Sequence, residues 1–153
     1  MKYWLMKSEP ETYSIDDLKR DANTLWEGVR NYQARNFMID MKVGDLVLFY
    51  HSSAEPPGIA GLAVVSELAQ TDRTALNPKS DHYDKKSTKE NPIWKCVEVK
   101  FQEKFDRILG LEEIKSEKKL SGMLVIKRGQ RLSIQPVEMP DFELILKLAK
   151  SRK

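Results

Sequence analysis

The chain has 153 residues, 41% hydrophobic and 32% charged, with a formal net charge of +3 and one cysteine. That length suits one domain around one core, and the composition excludes a disordered chain. No apolar run approaches the roughly 20 residues of a membrane helix, and the lone Cys96 excludes an internal disulfide framework and fits a reducing compartment.

The first ten residues carry too short an apolar core for a secretory signal, so the expected location is the cytoplasm, or the nucleus in a eukaryote. Tyr3 to Met6 reads as a first strand, stopped by Lys7-Ser8-Glu9-Pro10. Ser14-Ile-Asp-Asp-Leu18 opens a short helix ending between Arg20 and Asn23. Ser14 caps it, and acids fill the first turn, where the helix dipole favours them. After Trp26-Glu27-Gly28 a second helix is predicted from about Asn31 to Met41, anchored to the core by Tyr32 and Phe37. Lys42 to Asp45 is a turn, Leu46 to Tyr50 a continuous apolar strand buried on both faces, and His51 to Gly58 a loop rich in Pro and Ser.

Ile59 to Leu68 is the next strand. Its Ala60, Gly61 and Ala63 imply close approach of another backbone or a ligand. Residues 70–92 form a long irregular region, a length that marks a functional or mobile loop. Lys95 to Gln102 alternates Val97, Val99 and Phe101 with polar residues, the pattern of a half-buried antiparallel strand. Leu109 to Ile114 makes one or two helical turns, and Leu132 to Val137 is the last strand. Asp141 opens a C-terminal helix with Phe142, Ile145, Leu146 and Ala149 on one face. This order predicts the α+β class, with a small, mostly antiparallel sheet closed into a β-barrel. No repeat or linker interrupts residues 1–153, which are expected to form a single domain.

Spacings for metal ligation and nucleophilic catalysis are missing. His51 and His82 are far apart, and no C-x-x-C or H-x-x-x-H occurs. His51-Ser52-Ser53 puts a base beside hydroxyls, but neighbours on a strand point to opposite faces. There is no G-x-S-x-G elbow or Walker loop. Cys96, mid-strand beside Trp94, reads as a buried inert thiol. No cofactor or metal is expected.

What the chain offers instead is flat rings beside planar, multi-donor side chains. The stretch Trp26 to Phe37 places Trp26, Tyr32, Arg30, Arg35, Asn31 and Asn36 within a dozen residues of Gly28. Such a set suits a flat polar ligand, and nucleobases have both a face to stack on and an edge to hydrogen-bond. Trp4, Tyr13, Tyr32, Phe49 and Tyr50 serve a core equally well. Trp26, in a polar loop beside a glycine, is expected to face a cleft, so that Trp26→Ala spares the melting temperature. Ser8 and Glu9 after the first strand, and His51 and Ser52 after the buried one, are either plain turns or an opposite wall that reads a base edge. From Lys115 to Arg131, six basic residues face one acid, Glu117. That excess is either a polyanion footprint or a solvated surface.

The blocks Tyr3-Trp-Leu-Met-Lys-Ser-Glu-Pro10, Tyr13-Ser-Ile-Asp-Asp-Leu18, Trp26-Glu-Gly-Val-Arg-Asn-Tyr-Gln-Ala-Arg-Asn36, Met41-Lys-Val-Gly-Asp45, Phe49-Tyr-His-Ser52 and Arg131-Leu-Ser-Ile-Gln-Pro-Val137 resemble the EVE domain, in order and over nearly the whole chain. Ile39, where that family often has Arg, and Tyr83-Asp84-Lys85, which lacks a Pro, depart from the pattern. The resemblance implies a PUA-like fold, a small mixed barrel flanked by helices, without catalytic activity. It implies a reader of modified bases, chiefly modified cytosines in DNA, with RNA as the other nucleic acid. The implied base-binding pocket draws on Trp4, Lys7, Ser8, Glu9, Trp26, Gly28, Val29, Arg30, Asn31, Phe49, Tyr50, His51 and Ser52.

On this reading a base leaves its stack at a cost of a few kcal/mol, and the pocket stacks and hydrogen-bonds it. Arg30, Arg35, Lys127, Arg128 and Arg131 hold phosphates, which makes binding salt-dependent. The expected partner is nucleic acid, with no membrane, no named protein partner and a monomeric state. Two other readings stand beside it. One is an enzyme acting on a modified nucleotide or base, with Glu9, His51 or Asp45 as acid or base. The other is a protein-interaction module built on the 70–92 loop.

Overall fold

Two adjacent strands sort their side chains to opposite faces of one sheet. In the computed structural model, which describes residues 1–151, Trp4 and Met6 of β1 (Tyr3–Ser8) join one buried cluster, and Leu5 joins another. Val47 and Phe49 of β3 (Leu46–His51) face the first cluster, and Leu48 and Tyr50 face the second. The period of two along a strand produces this division. The first cluster is closed by Ile15 and Leu18 of α1 (Ile15–Asp21) and by Ala34 and Met38 of α2 (Tyr32–Asp40). The second is closed by Ile114 of α3 (Leu111–Ser116) and by Phe142, Ile145 and Ala149 of α4 (Met139–Lys150).

The remaining strands are β2 (Asn23–Leu25), β4 (Gly58–Thr71), β5 (Lys95–Gly110) and β6 (Ile134–Val137). The sheet order is β2-β5-β4-β3-β1-β6. β1 and β3 run parallel and the other neighbours antiparallel, so the class is mixed α+β. The sheet is open between β2 and β6, where a closed barrel was expected. Both edges are short, and Pro136, which lacks an N–H, suits an edge strand. None of the described helices is long and apolar enough to cross a membrane.

The helices follow their local signals. Ser14 and Asp17 form a reciprocal capping box at α1. Asn31 caps α2 by accepting from the Ala34 N–H at 2.9 Å. β2 was not legible, because three residues carry no alternation. β5 runs eight residues past Gln102, since pairing with the long β4 sustains a stretch whose own pattern is polar. The close approach implied around Gly61 is that of another backbone: a Cβ there would lie 2.2 Å from the Glu103 carbonyl oxygen, with Ile15 of α1 also against it.

Asp45 ties the start of β1 to the turn before β3. Its buried carboxylate accepts the Lys2 N–H, the Trp4 indole N–H and the Lys42 N–H, each at 3.0 Å. Trp4 therefore belongs to the fold: it is 2% exposed and packs on Phe37. Burial alone raises the Asp45 carboxyl. The N–H bonds from Lys2, Lys42 and Trp4, with the charged N-terminus, outweigh burial and hold its pKa below the ordinary value.

A depressed folded pKa contributes stability above the unfolded value of about 4 and loses it as the pH falls through the folded pKa. Asp45→Asn is expected to cost about 1–3 kcal/mol at pH 7, because an amide donor then faces buried N–H groups. In urea unfolding the gap between wild type and variant should narrow at pH 3; a gap that stays constant would count against a charged Asp45.

Candidate functional site

A cavity of about 650 Å³ opens between the end of β1, the start of α1 and the segment joining β2 to α2. Lys7, Ser8 and Glu9 form one side, and Thr12 and Tyr13 the next. Residues Thr24 to Asn31 form the opposite side, completed by Thr74, His82 and Ser133.

The Thr24 to Asn31 wall is fixed by backbone and charge. The Trp26 N–H donates to the Val97 carbonyl at 2.8 Å, which continues β2 pairing by one residue. The Trp26 ring stands edge-on to Phe49, with centroids 5.6 Å apart. Gly28 takes a φ of +86°, the region glycine enters without a steric penalty. Its N–H donates to Asp72 at 2.8 Å.

Arg30 then donates to Asp72 at 3.0 Å, to the Thr74 hydroxyl at 3.0 Å and twice to the His82 carbonyl. Asp72, fully buried, also accepts the Thr74 N–H and hydroxyl. Burial alone raises this carboxyl; the bonds from Thr74, Gly28 and Arg30 outweigh it and hold it below its ordinary pKa. One buried carboxylate thus clamps the 72–84 segment to the cavity wall, and a charge so paired is costly to strand. Glu27, also on the wall, is shifted the other way: burial and the negative Asp72 raise its carboxyl, against His82 and Arg30.

Eight of the sequence-predicted pocket residues gather here: Lys7, Ser8, Glu9, Trp26, Gly28, Val29, Arg30 and Asn31. Five do not. Trp4 is held in the core by Asp45. Phe49 is fully buried behind Trp26. Tyr50 faces the other side of the sheet, one residue out of phase, where the Lys7 ammonium lies 5.8 Å from its ring. His51 accepts the Ile15 N–H on Nε2 at 3.1 Å and lines a separate groove with Pro10, Glu11 and Ser53. Burial lowers its pKa, opposed by Asp16 and aided by Lys104. Ser52 donates its N–H to the Ser8 carbonyl at 3.0 Å. His51 and Ser52 therefore position the wall from behind.

Of the three acid–base candidates only Glu9 lines the cavity, since Asp45 and His51 are committed elsewhere. Burial pushes the Cys96 thiol up to about 12, far from a reactive thiolate. Trp26, expected to be cleft-facing with little structural role, is only 9% exposed and sits in the core cluster, so Trp26→Ala removes core packing as well.

Tyr32, expected in the core, is 57% exposed. Asp72, Thr74 and His82 were missed. Asp72-x-Thr74 carries a local cap signal, but nothing in sequence joins it to Arg30, 42 residues away. Among the phosphate candidates, Arg30 and Arg35 spend their guanidinium groups inside the protein, Arg35 on Asn36 and the Ile93 carbonyl. Lys127, Arg128 and Arg131 are exposed, on the segment that leads to Ser133 at the cavity rim.

The EVE domain matches residues 2–148. Human thymocyte nuclear protein 1 is 43% identical over 164 residues, covering 95% of this chain and 73% of its own. A crystal structure of the human protein in complex with 5-methylcytosine-containing DNA has a TM-score of 0.94 at 40% identity, covering 100% of both chains. A hypothetical protein from Leishmania major superposes with a TM-score of 0.94 at 48% identity, covering 98% of this chain and 95% of its own.

A Cβ on Gly28 would lie 2.8 Å from the His82 ring and would also hold a positive φ. Gly28→Ala is expected to cost about 1–2 kcal/mol from backbone strain, with an added steric part. A double-mutant cycle with His82→Ala should show coupling of at least about 0.5 kcal/mol by denaturant unfolding. Strict additivity would mean that the ring does not pack on this turn.

Proposed function

The chain belongs to the EVE domain family, and on that premise we propose that it is a nucleic-acid reader that takes a modified base into the cavity beside Trp26. The modified base is a cytosine in DNA, with RNA carrying such a base as the second ligand to test. Binding, without turnover, is the activity, and residues 1–153 act as one unit. A cytosolic or nuclear setting would give it access to that ligand.

The observation that carries the reading is the cavity itself. Its volume lies within the range of small-ligand sites, and its wall combines an aromatic ring with convergent polar groups. The human relative's complex with 5-methylcytosine-containing DNA supports the choice of ligand. Tyr13, Trp26 and His82 supply ring surface, and stacking on an aromatic ring is worth about 1–3 kcal/mol per base. Glu9 and Glu27 supply carboxylate acceptors on the wall, the group that pairs with the exocyclic amine of cytosine. That pairing offsets the few kcal/mol needed to unstack the base. A buried methyl adds only about 1 kcal/mol, so preference for the methylated base is modest. Lys127, Arg128 and Arg131 hold the phosphates near the rim.

Fluorescence anisotropy with matched oligonucleotides tests this. 5-Methylcytosine should bind about 5-fold more tightly than cytosine, the factor that about 1 kcal/mol gives. Replacing Lys127, Arg128 and Arg131 together with Ala should weaken both ligands equally and make the salt slope shallower by about 0.9 for each phosphate no longer neutralised. Equal affinity for modified, plain and unrelated polyanions would remove the reader function.

A further inference from the structure

Beside the cavity, and outside it, lie two rings and the Arg35 guanidinium, which the base-binding wall does not use. Tyr32 is the first residue of α2, next in sequence to Asn31 on the cavity wall. Its ring lies 4.9 Å from that of Trp94, tilted by 30°. The Arg35 guanidinium is 5.0 Å from the Tyr32 ring and 6.0 Å from the Trp94 ring. These three distances close a triangle with two nearly equal sides meeting at Tyr32. Seen from Tyr32, Trp94 and Arg35 are thus less than a right angle apart, and both lie toward the same side of its ring.

Trp94 packs on Tyr32 and Arg35 lies over its ring, yet the tyrosine remains 57% exposed. Trp94 is held in turn: its indole N–H donates to Asp84 at 2.7 Å, and the Arg30 guanidinium lies 5.4 Å from its ring. Arg30 is the same residue that clamps the cavity wall to Asp72. The ring is thus fixed in orientation by the cavity's own scaffold. A large tyrosine left exposed at a helix start, backed by a fixed Trp94 and beside an Arg35 guanidinium held by hydrogen bonds, is arranged as a flat stacking surface.

We infer that the outer face of Tyr32 is a second stacking platform, taking the nucleobase next to the one in the cavity; this rests on the base-reading proposal above. Asn31 on the cavity wall directly precedes Tyr32, so the platform adjoins the wall beside which the first base is held. Every base has a face to offer, so the platform adds affinity without adding sequence preference. The Arg35 guanidinium beside the ring adds a cationic neighbour for an electron-rich base.

The test uses single-stranded oligonucleotides with one 5-methylcytosine, read by anisotropy against wild type, Tyr32→Phe, Tyr32→Leu and Tyr32→Ala. Tyr32→Phe should bind as wild type does. Tyr32→Ala and Tyr32→Leu should bind roughly 5- to 150-fold more weakly, the range of one base stack. Tyr32→Leu keeps apolar packing against Trp94, so it separates removal of the open ring face from a failure to fold, which thermal melting checks directly. Replacing the nucleotide on either side of the modified base by an abasic spacer should weaken wild type from one side only and leave Tyr32→Ala unchanged. Undiminished binding by Tyr32→Ala, or a spacer effect that adds in full to the mutation, overturns the platform and leaves the cavity reading intact. No binding by wild type to any of these oligonucleotides overturns both.

Discussion

The cavity depends on one buried carboxylate. Asp72 has no exposed surface and accepts from Gly28, Arg30 and Thr74, residues on two separate stretches of chain. Its own N–H donates to the Trp94 carbonyl, so it also joins the start of β5 to the same node. Left alone, such a charge would be too costly to bury; satisfied by several donors, it becomes a fixed point. Gly28 can take its positive φ there because the turn is held by that bond, and the His82 carbonyl is in place because Arg30 spans from Asp72 to it. Beyond the single 3-10 turn Arg73–Leu76, the 72–84 segment needs no regular structure of its own to serve as a wall.

The rest of the wall follows from the sheet. Parallel pairing of β1 with β3 places Ser8 opposite His51. His51 then takes the first N–H of α1 on its ring, and Ser52 donates to the Ser8 carbonyl. These contacts set the angle at which Ser8, Glu9 and Tyr13 meet the cavity. A histidine with its Nε2 already accepting, and its basicity lowered by burial, suits a structural acceptor better than a proton shuttle. The same strands direct Tyr50 and Leu48 to the opposite face, where α3 and α4 cover them. One sheet thus separates the side that carries the cavity from the side covered by α3 and α4.

Much of this was legible in the sequence where the signal is local. The cap at Ser14, the cap at Asn31, the apolar strand at Leu46 and the alternation at Lys95 each depend on residues a few positions apart. The family blocks place the same segments near one another, which composition alone does not. What escaped depends on contacts between distant residues. β2 exists only because β5 pairs with it, and the Arg30–Asp72 clamp has no local pattern. Tyr50 was misplaced because a continuous apolar run hides which face each residue takes. Tyr32 was misplaced because it lies on the side of α2 shared with Arg35 and Asn36, whereas the buried positions are Ala34 and Met38. Trp26 was read as a ring in a loop; it is at once a wall of the cavity and part of the core beneath it.

Entry of a nucleobase into the cavity beside Trp26 is the central claim. Titration of isotope-labelled protein with a 5-methylcytosine oligonucleotide, followed by amide and indole NMR shifts, tests it most directly. The largest shifts are predicted at the Trp26 indole N–H and at the Gly28 and His82 amides, which surround the cavity, with the Trp4 indole N–H, locked on Asp45, nearly unmoved. Shifts confined to residues over the second core cluster, or to the basic 115–131 segment with the cavity silent, would contradict it.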